Sequence, residues 1–231
     1  MRYILVLLLI SFSAVAQNVK TYIPVQAPQY FDIIKAEQKR LFPELTYHAY
    51  FASLIEVESC QHLKHSRCWN PKSRLKSKRE EGAGLGQLTK AYNADGSIRF
   101  DLVTELRKKH YSELKELSWD NIYTRPDLQI RSMMILSRTN FNGLYSIKDP
   151  WEKLAMTDAS YNGGLPGLQK ERRACSLAKG CDPNKWFNNV EDKCMKSKKP
   201  LYGNRSACMI NREHVQTVLY IRMPKYEQYF K

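Results

Sequence analysis

The residues best suited to chemistry in this chain fall into three short groups. The first, Glu58-Ser59-Cys60, closes an apolar stretch that begins at Tyr47. A carboxyl at the end of such an element is partly withdrawn from water, which disfavours its charged form. A carboxyl that keeps its proton is what general-acid catalysis at a glycosidic oxygen requires. Glu56 stands close by, but at about 100° per residue it lies roughly 200° around a helix from Glu58, so the two cannot face one cleft. One of them must serve the surface or a salt bridge, and position alone does not separate them. The second group is Gly82-Ala83-Gly84-Leu85-Gly86-Gln87-Leu88-Thr89. Its glycines let the backbone turn tightly and approach a ligand, and Gln87 offers an amide donor and acceptor. No Lys-Ser/Thr pair follows as in a nucleotide loop, so phosphate binding is discounted and no cofactor is expected. The third group, Ala159-Ser160-Tyr161-Asn162-Gly163-Gly164, ends an apolar segment with a phenol and an amide before two glycines. Taken singly, the second group reads as a turn and the third as a helix end with a glycine stop.

The elements that must position these groups read as helices. Tyr30 to Phe42 spaces Phe31, Ile33, Ile34 and Leu41 among charged residues and stops at Pro43. Tyr47 to Cys60, Asp127 to Leu144 and Trp151 to Tyr161 read as core helices, and Val215 to Ile221 as a last one. Their Met and aromatic stripes are read as core packing. His62 to Glu81 and Gly163 to Ser206 read as loops. The expected fold is therefore all-α, a single domain over 17–231 with two basic insertions. With 43% hydrophobic and 26% charged residues and ten each of Gly and Pro, a disordered or collagen-like chain is excluded.

An apolar run from Ile4 to Ile10, followed by Ala14 and Ala16, reads as a signal peptide over 1–16 cleaved before Gln17. The run is too short for a membrane span, which needs about 20 residues, and no Cys precedes Cys60 to carry a lipid. Export without a stable membrane anchor, to a periplasm or the exterior, is the expectation. The six cysteines then belong in disulfides, and nearest neighbours, 60 with 68, 175 with 181 and 194 with 208, are expected because each closes a short local loop. A zinc site from Cys60, His62, His65 and Cys68 is the sharper alternative for the first pair. Export and the spacing of the two His disfavour it, so no metal is expected. A net charge of +14 points to a polyanionic partner. Nucleic acid is not expected, since no reader motif appears and the aromatics do not interleave with the basic run.

Taken together and in order, the motifs resemble the lysozyme-like domain of the soluble lytic transglycosylases, glycoside hydrolase family 23. That family shows a Glu-Ser pair, an Asn-Pro stretch leading to a Gly-Leu-Met-Gln turn, and an Ala-Tyr-Asn motif. The matching segments are Glu58-Ser59, Trp69-Asn70-Pro71, Gly84-Leu85-Gly86-Gln87 and Ser160-Tyr161-Asn162, with support from Asp127 to Leu136 and Glu213 to Leu219. The resemblance covers residues 45 to 223 in outline. It departs at Gly86, where Met is common, at Ser160 in place of Ala, at the added segment Gln61 to Arg67, and at His214, where Tyr is frequent.

The resemblance implies a lysozyme-like helical domain that cleaves peptidoglycan glycan strands between N-acetylmuramic acid and N-acetylglucosamine. Glu58 would be the catalytic acid and base, giving 1,6-anhydro ends. Tyr161 would hold Glu58 by its phenol, Gln87 and Asn162 would bind the glycan, and Ser59 would help position it. A hydrolytic muramidase is the close competitor, with Glu80 or Glu81 as a second carboxylate. The expected state of that pair is instead solvated, beside Lys78 and Arg79. A non-catalytic cationic wall-binding protein is the alternative of another class. Lys64, Arg67, Lys72, Arg74, Lys76, Lys78 and Arg79 crowd the segment between the proposed acid and the glycine turn. Close to Glu58 they would hold it ionised, so they are expected to point outward.

Overall fold

The computed structural model describes residues 19–231, and the leader expected over 1–16 lies outside them. Helices predominate, but a four-stranded and a two-stranded antiparallel sheet accompany them, so the fold is mixed α and β. This corrects the all-α expectation. The chain divides into two units, one running up to Ser132 and joined by Tyr220–Lys231, the other Met133–Leu219.

The first unit begins with α1 (Phe31–Leu41) and α2 (Tyr50–Ser59). Helix α1 follows a 3-10 turn opened by Pro28 and ends before Pro43, where the apolar periodicity also stops. Helix α2 is the core element: Tyr50, Phe51, Ala52, Leu54 and Ile55 are all fully buried. Phe31 packs edge-on against Trp69 and Phe230, with ring centroids 6.1 and 5.2 Å away. Such an aromatic cluster is a large part of the apolar surface that this unit removes from water.

The sheet runs β1 (Arg74–Lys76), β2 (Glu80–Ala83), β3 (Leu88–Tyr92) and β4 (Ile98–Asp101) in chain order, each strand antiparallel to the next. These strands escape a periodicity reading for a physical reason. All of β1 is exposed, β4 is exposed except at Asp101, and β2 carries Gly82, so almost no apolar alternation is written into them. Their pairing rests on backbone hydrogen bonds and tight connections. Asp101 closes the sheet and caps α3 (Leu102–Lys109), accepting from Thr104 N at 3.0 Å and from Trp119 Nε1 at 2.9 Å. A short α4 (Tyr111–Leu114) follows, then α5 (Pro126–Asn142), whose residues up to Ser132 belong to this unit.

The second unit holds the rest of α5, then α6 (Pro150–Gly163), α7 (Leu165–Ser176), the hairpin β5 (Pro200–Tyr202) with β6 (Arg205–Ser206), and α8 (Ala207–Gln216). Asp149 caps α6 by accepting from Trp151 N and Glu152 N at 2.8 and 3.0 Å, and Gly164, at φ +81°, stops it. The segment Gly163 to Ser206 is not a loop throughout. Helix α7 buries Leu168, Glu171 and Cys175 on one face, and its period is masked because the middle member of that face is a glutamate. The helix expected from Val215 starts earlier, at Ala207, where Ser206 accepts from Met209 N at 3.1 Å, and a π-helical stretch (Thr217–Arg222) and a short helix (Met223–Tyr226) follow it.

The disulfides are Cys60–Cys68 in the first unit and Cys175–Cys181 and Cys194–Cys208 in the second, the nearest-neighbour pairs expected. Among the described residues no helix is long and apolar enough to cross a membrane.

Candidate functional site

The two carboxylates of α2 meet opposite fates. Glu56 has no exposed surface. Its Oε1 lies 2.7 Å from Lys225 Nζ and 3.2 Å from Arg222 Nη1, and its Oε2 accepts the Tyr226 phenol. Lys225 Nζ also donates to the carbonyls of Val19 and Tyr22, at 3.2 and 2.8 Å. Burial pushes the Lys225 ammonium below the ordinary lysine range, with Glu56 pulling the other way, and burial next to Glu56 raises the Tyr226 phenol. Glu56 is thus a structural anchor that ties α2 to the segment holding Arg222, Lys225 and Tyr226, and Lys225 in turn reaches Val19 and Tyr22. Glu58, on the other side of the helix, is half-buried in its last turn.

Ser59 is buried, and its hydroxyl is committed to the protein: it donates to Ile55 O at 2.7 Å and accepts from Trp69 N at 3.0 Å. That bond lies beside the Cys60–Cys68 disulfide, so a covalent and a hydrogen-bonded staple together close the neck of the added segment Gln61 to Arg67. Trp69 is held there at φ +54°, the left-handed region, with its ring stacked on Tyr30 at 6.0 Å. Ser59 therefore works by shaping the strap that leaves α2. Because Cys60 and Cys68 are joined to each other, neither offers a thiolate to a metal beside His62 and His65.

The strap leads straight to the glycine turn. Ser73 N donates to Asn70 O and Gly84 N to Ser73 O, both at 2.8 Å. The turn is then clamped from α5 by Gln129, which is fully buried. Gln129 Oε1 accepts from Leu85 N at 2.8 Å, while its Nε2 donates to Pro71 O at 2.9 Å and to Ile122 O. Gly84 sits at φ +73°, and a Cβ there would collide with the Gln129 amide, so this position needs glycine twice over. Gln87 is half-buried, at φ +45°. Its Nε2 donates to Gly84 O at 2.9 Å and Ser73 Oγ at 3.4 Å, which turns the amide nitrogen into the loop.

The acidic pair before the turn is not uniformly solvated. Glu80 is half-buried, while Glu81 is buried, bound by Arg74 Nε at 2.8 Å and by the Tyr123 phenol at 2.9 Å. Burial opposes ionisation of Glu81, yet the hydrogen bonds from Arg74 and Tyr123 outweigh it and hold the carboxyl below the usual glutamate range. Burial and the Glu81 bond push the Tyr123 phenol up to about 12. A carboxyl lowered on folding stabilises the fold above its unfolded value and loses that contribution as pH falls through its folded one. Chemical denaturation should therefore show stability falling once pH drops below about 4, with Glu81→Gln giving a shallower fall. A slope unchanged by Glu81→Gln would mean that Glu81 plays no part in that fall. All seven cations from Lys64 to Arg79 are exposed, as expected.

Tyr161 and Asn162 belong to the second unit, in the last turn of α6. Tyr161 is half-buried and Asn162 exposed. Asn162 Oδ1 accepts from Asn211 Nδ2 at 3.0 Å. Beneath them Asp158 and His214 form a buried pair at 2.7 Å. The insertion closed by Cys194–Cys208 brings Lys196 to this motif, with Nζ 3.4 Å from Gly163 O and 3.7 Å from Glu171. Burial lowers the Lys196 ammonium against the pull of Glu171.

Within the first unit, Ser59, next to Glu58 in the chain, is thus connected to Gln87 through Trp69, Asn70 and Ser73. Sequence alone does not single out Gln129 or Asn211. Each is a buried amide on its helix, and burial signals a hydrogen-bonding duty without revealing its partner. Compared with family models, curated proteins and solved structures, the chain matches none.

Proposed function

We propose that this chain is a peptidoglycan lytic transglycosylase in which Glu58 performs both proton transfers. The observation that carries the reading is the division of labour on α2. Glu56 is saturated by Lys225, Arg222 and Tyr226, which leaves Glu58 as the half-buried carboxyl at the helix end. That end is joined to the Gln87 turn through Ser59, Trp69, Asn70 and Ser73. In this mechanism the Glu58 carboxyl protonates the oxygen between N-acetylmuramic acid and N-acetylglucosamine as the bond to C1 breaks. The carboxylate then takes the proton of the muramoyl 6-hydroxyl while O6 bonds to C1, closing the anhydro ring and restoring the acid. Neither water nor a second carboxylate enters.

The turn supports a binding role, because with its nitrogen engaged Gln87 keeps a carbonyl oxygen for a sugar hydroxyl. The hydrolytic alternative draws little from Glu81, which is buried and already bound by Arg74 and Tyr123. The exposed cations suit the carboxylates of peptide stems and anionic wall polymers. Three disulfides are in keeping with an exported protein. Digestion of purified cell wall tests the proposal. The expected fragments are one water lighter than hydrolysis products, with ends that borohydride cannot reduce. Reducible ends would make the chain a muramidase, and no release of fragments would leave the wall-binding alternative.

A further inference from the structure

The surroundings of Asn211 decide what Asn162 can offer a ligand. Arg212 Nη1, which can only donate, lies 2.8 Å from Asn211 Oδ1, and the backbone carbonyl of Ala159, which can only accept, lies 2.9 Å from Asn211 Nδ2. Both ends of the Asn211 amide are therefore assigned by partners of fixed polarity. The second hydrogen on Nδ2 is directed at the Asn162 side chain, 3.0 Å away, so the atom it meets there must be the carbonyl oxygen. Inverting Asn162 would set one NH2 against another. Arg212 cannot turn to relieve this, because its Nη2 binds Glu171 at 2.9 Å, its Nε binds Glu191 O at 2.8 Å, and its guanidinium lies 4.8 Å over the Trp186 ring.

We propose that Asn211 is a positioning residue that makes Asn162 a hydrogen-bond donor toward the ligand. The exposed group is then an NH2, which reads an acceptor such as the acetamido carbonyl of an N-acetylhexosamine and gains nothing from the ammonium of a de-N-acetylated sugar. The inference rests on the glycan-binding role proposed for Asn162 and names the sugar group that it meets.

Chitotetraose, the tetramer of N-acetylglucosamine, and its de-N-acetylated counterpart are the probes, titrated by calorimetry into Glu58→Gln protein so that nothing turns over. Asn162→Asp keeps an acceptor toward Asn211 and replaces the outward donor with a second acceptor. It should weaken chitotetraose binding roughly tenfold or more, reduce the preference for the acetylated tetramer and leave the melting temperature unchanged. With Glu58 intact, the same change should raise KM for wall with kcat held within about twofold. Asn211→Asp, which reverses the polarity that Asn162 meets, should raise KM in the same way. It should also lower the melting temperature, since its carboxylate faces the Ala159 carbonyl. Asn162→Asp protein that binds chitotetraose as tightly as its parent would overturn this inference alone. A parent protein that neither binds the tetramer nor releases wall fragments would overturn the functional reading and this inference with it.

Discussion

Glu58→Gln protein should release soluble fragments from purified cell wall at least about 10²- to 10⁴-fold more slowly than the unaltered chain, while folding and adsorbing to wall as before. The size of the loss follows from the chemistry assigned to one group. The amide can neither protonate the glycosidic oxygen nor accept the proton of the 6-hydroxyl, so both halves of the reaction fail at once. The substitution conserves shape, and Glu58 is half-buried in a terminal helical turn instead of at the centre of the core, so the melting temperature should move little. On the proposed reading, adsorption draws on the exposed basic segment from Lys64 to Arg79, which the change leaves untouched. Turbidity clearing and pelleting with insoluble wall measure the two properties separately. Unchanged lysis would move the acid elsewhere in the chain. Lysis and adsorption lost together, with the fold intact, would mean that residue 58 binds ligand instead of transferring protons.

What can be read in advance divides along physical lines. Helices α1, α2, α5 and α6 declare themselves, α1 and α5 by apolar residues recurring at helical spacing and α2 and α6 by consecutive apolar residues that bury all round, and Pro43 and Gly164 mark where two of them end. The sheet does not, since β1 and β4 bury almost nothing and backbone pairing leaves no trace in side-chain type. Helix α7 is hidden by Glu171, whose burial is intelligible only once Arg212 and Lys196 are known to reach it. The same limit applies at the site. The motifs locate Glu58 and Gln87, yet Glu56 and Glu58 remain equivalent on paper, because what separates them is contact with Arg222, Lys225 and Tyr226, more than 160 residues away in sequence. Ser59 carries a duty the motif does not show: its hydroxyl bonds Ile55 O and Trp69 N.

Glu56→Ala should produce the opposite phenotype, a large loss of stability with activity per folded molecule retained. Removing the carboxylate leaves Lys225 Nζ buried with only the carbonyls of Val19 and Tyr22, Arg222 with its bond to Val19 O, and the Tyr226 phenol without its acceptor. Breaking a buried pair by deleting one partner costs about 3–5 kcal/mol, because the remaining charge keeps its desolvation and loses its compensation. For a chain of this length that corresponds to a fall of roughly 6 to 20 °C in melting temperature. The double substitution Glu56→Gln with Lys225→Met should recover part of the loss, since it removes the orphaned ammonium and keeps an acceptor for Tyr226. Scanning calorimetry of Glu56→Ala and of the double variant measures the loss and its recovery, and wall clearing at a temperature where each variant is folded measures activity. A single variant that melts within a degree or two of the parent would mean that water reaches Lys225 and that the pair is not a buried anchor. A stable variant that no longer clears wall would transfer the acid–base role from Glu58 to Glu56.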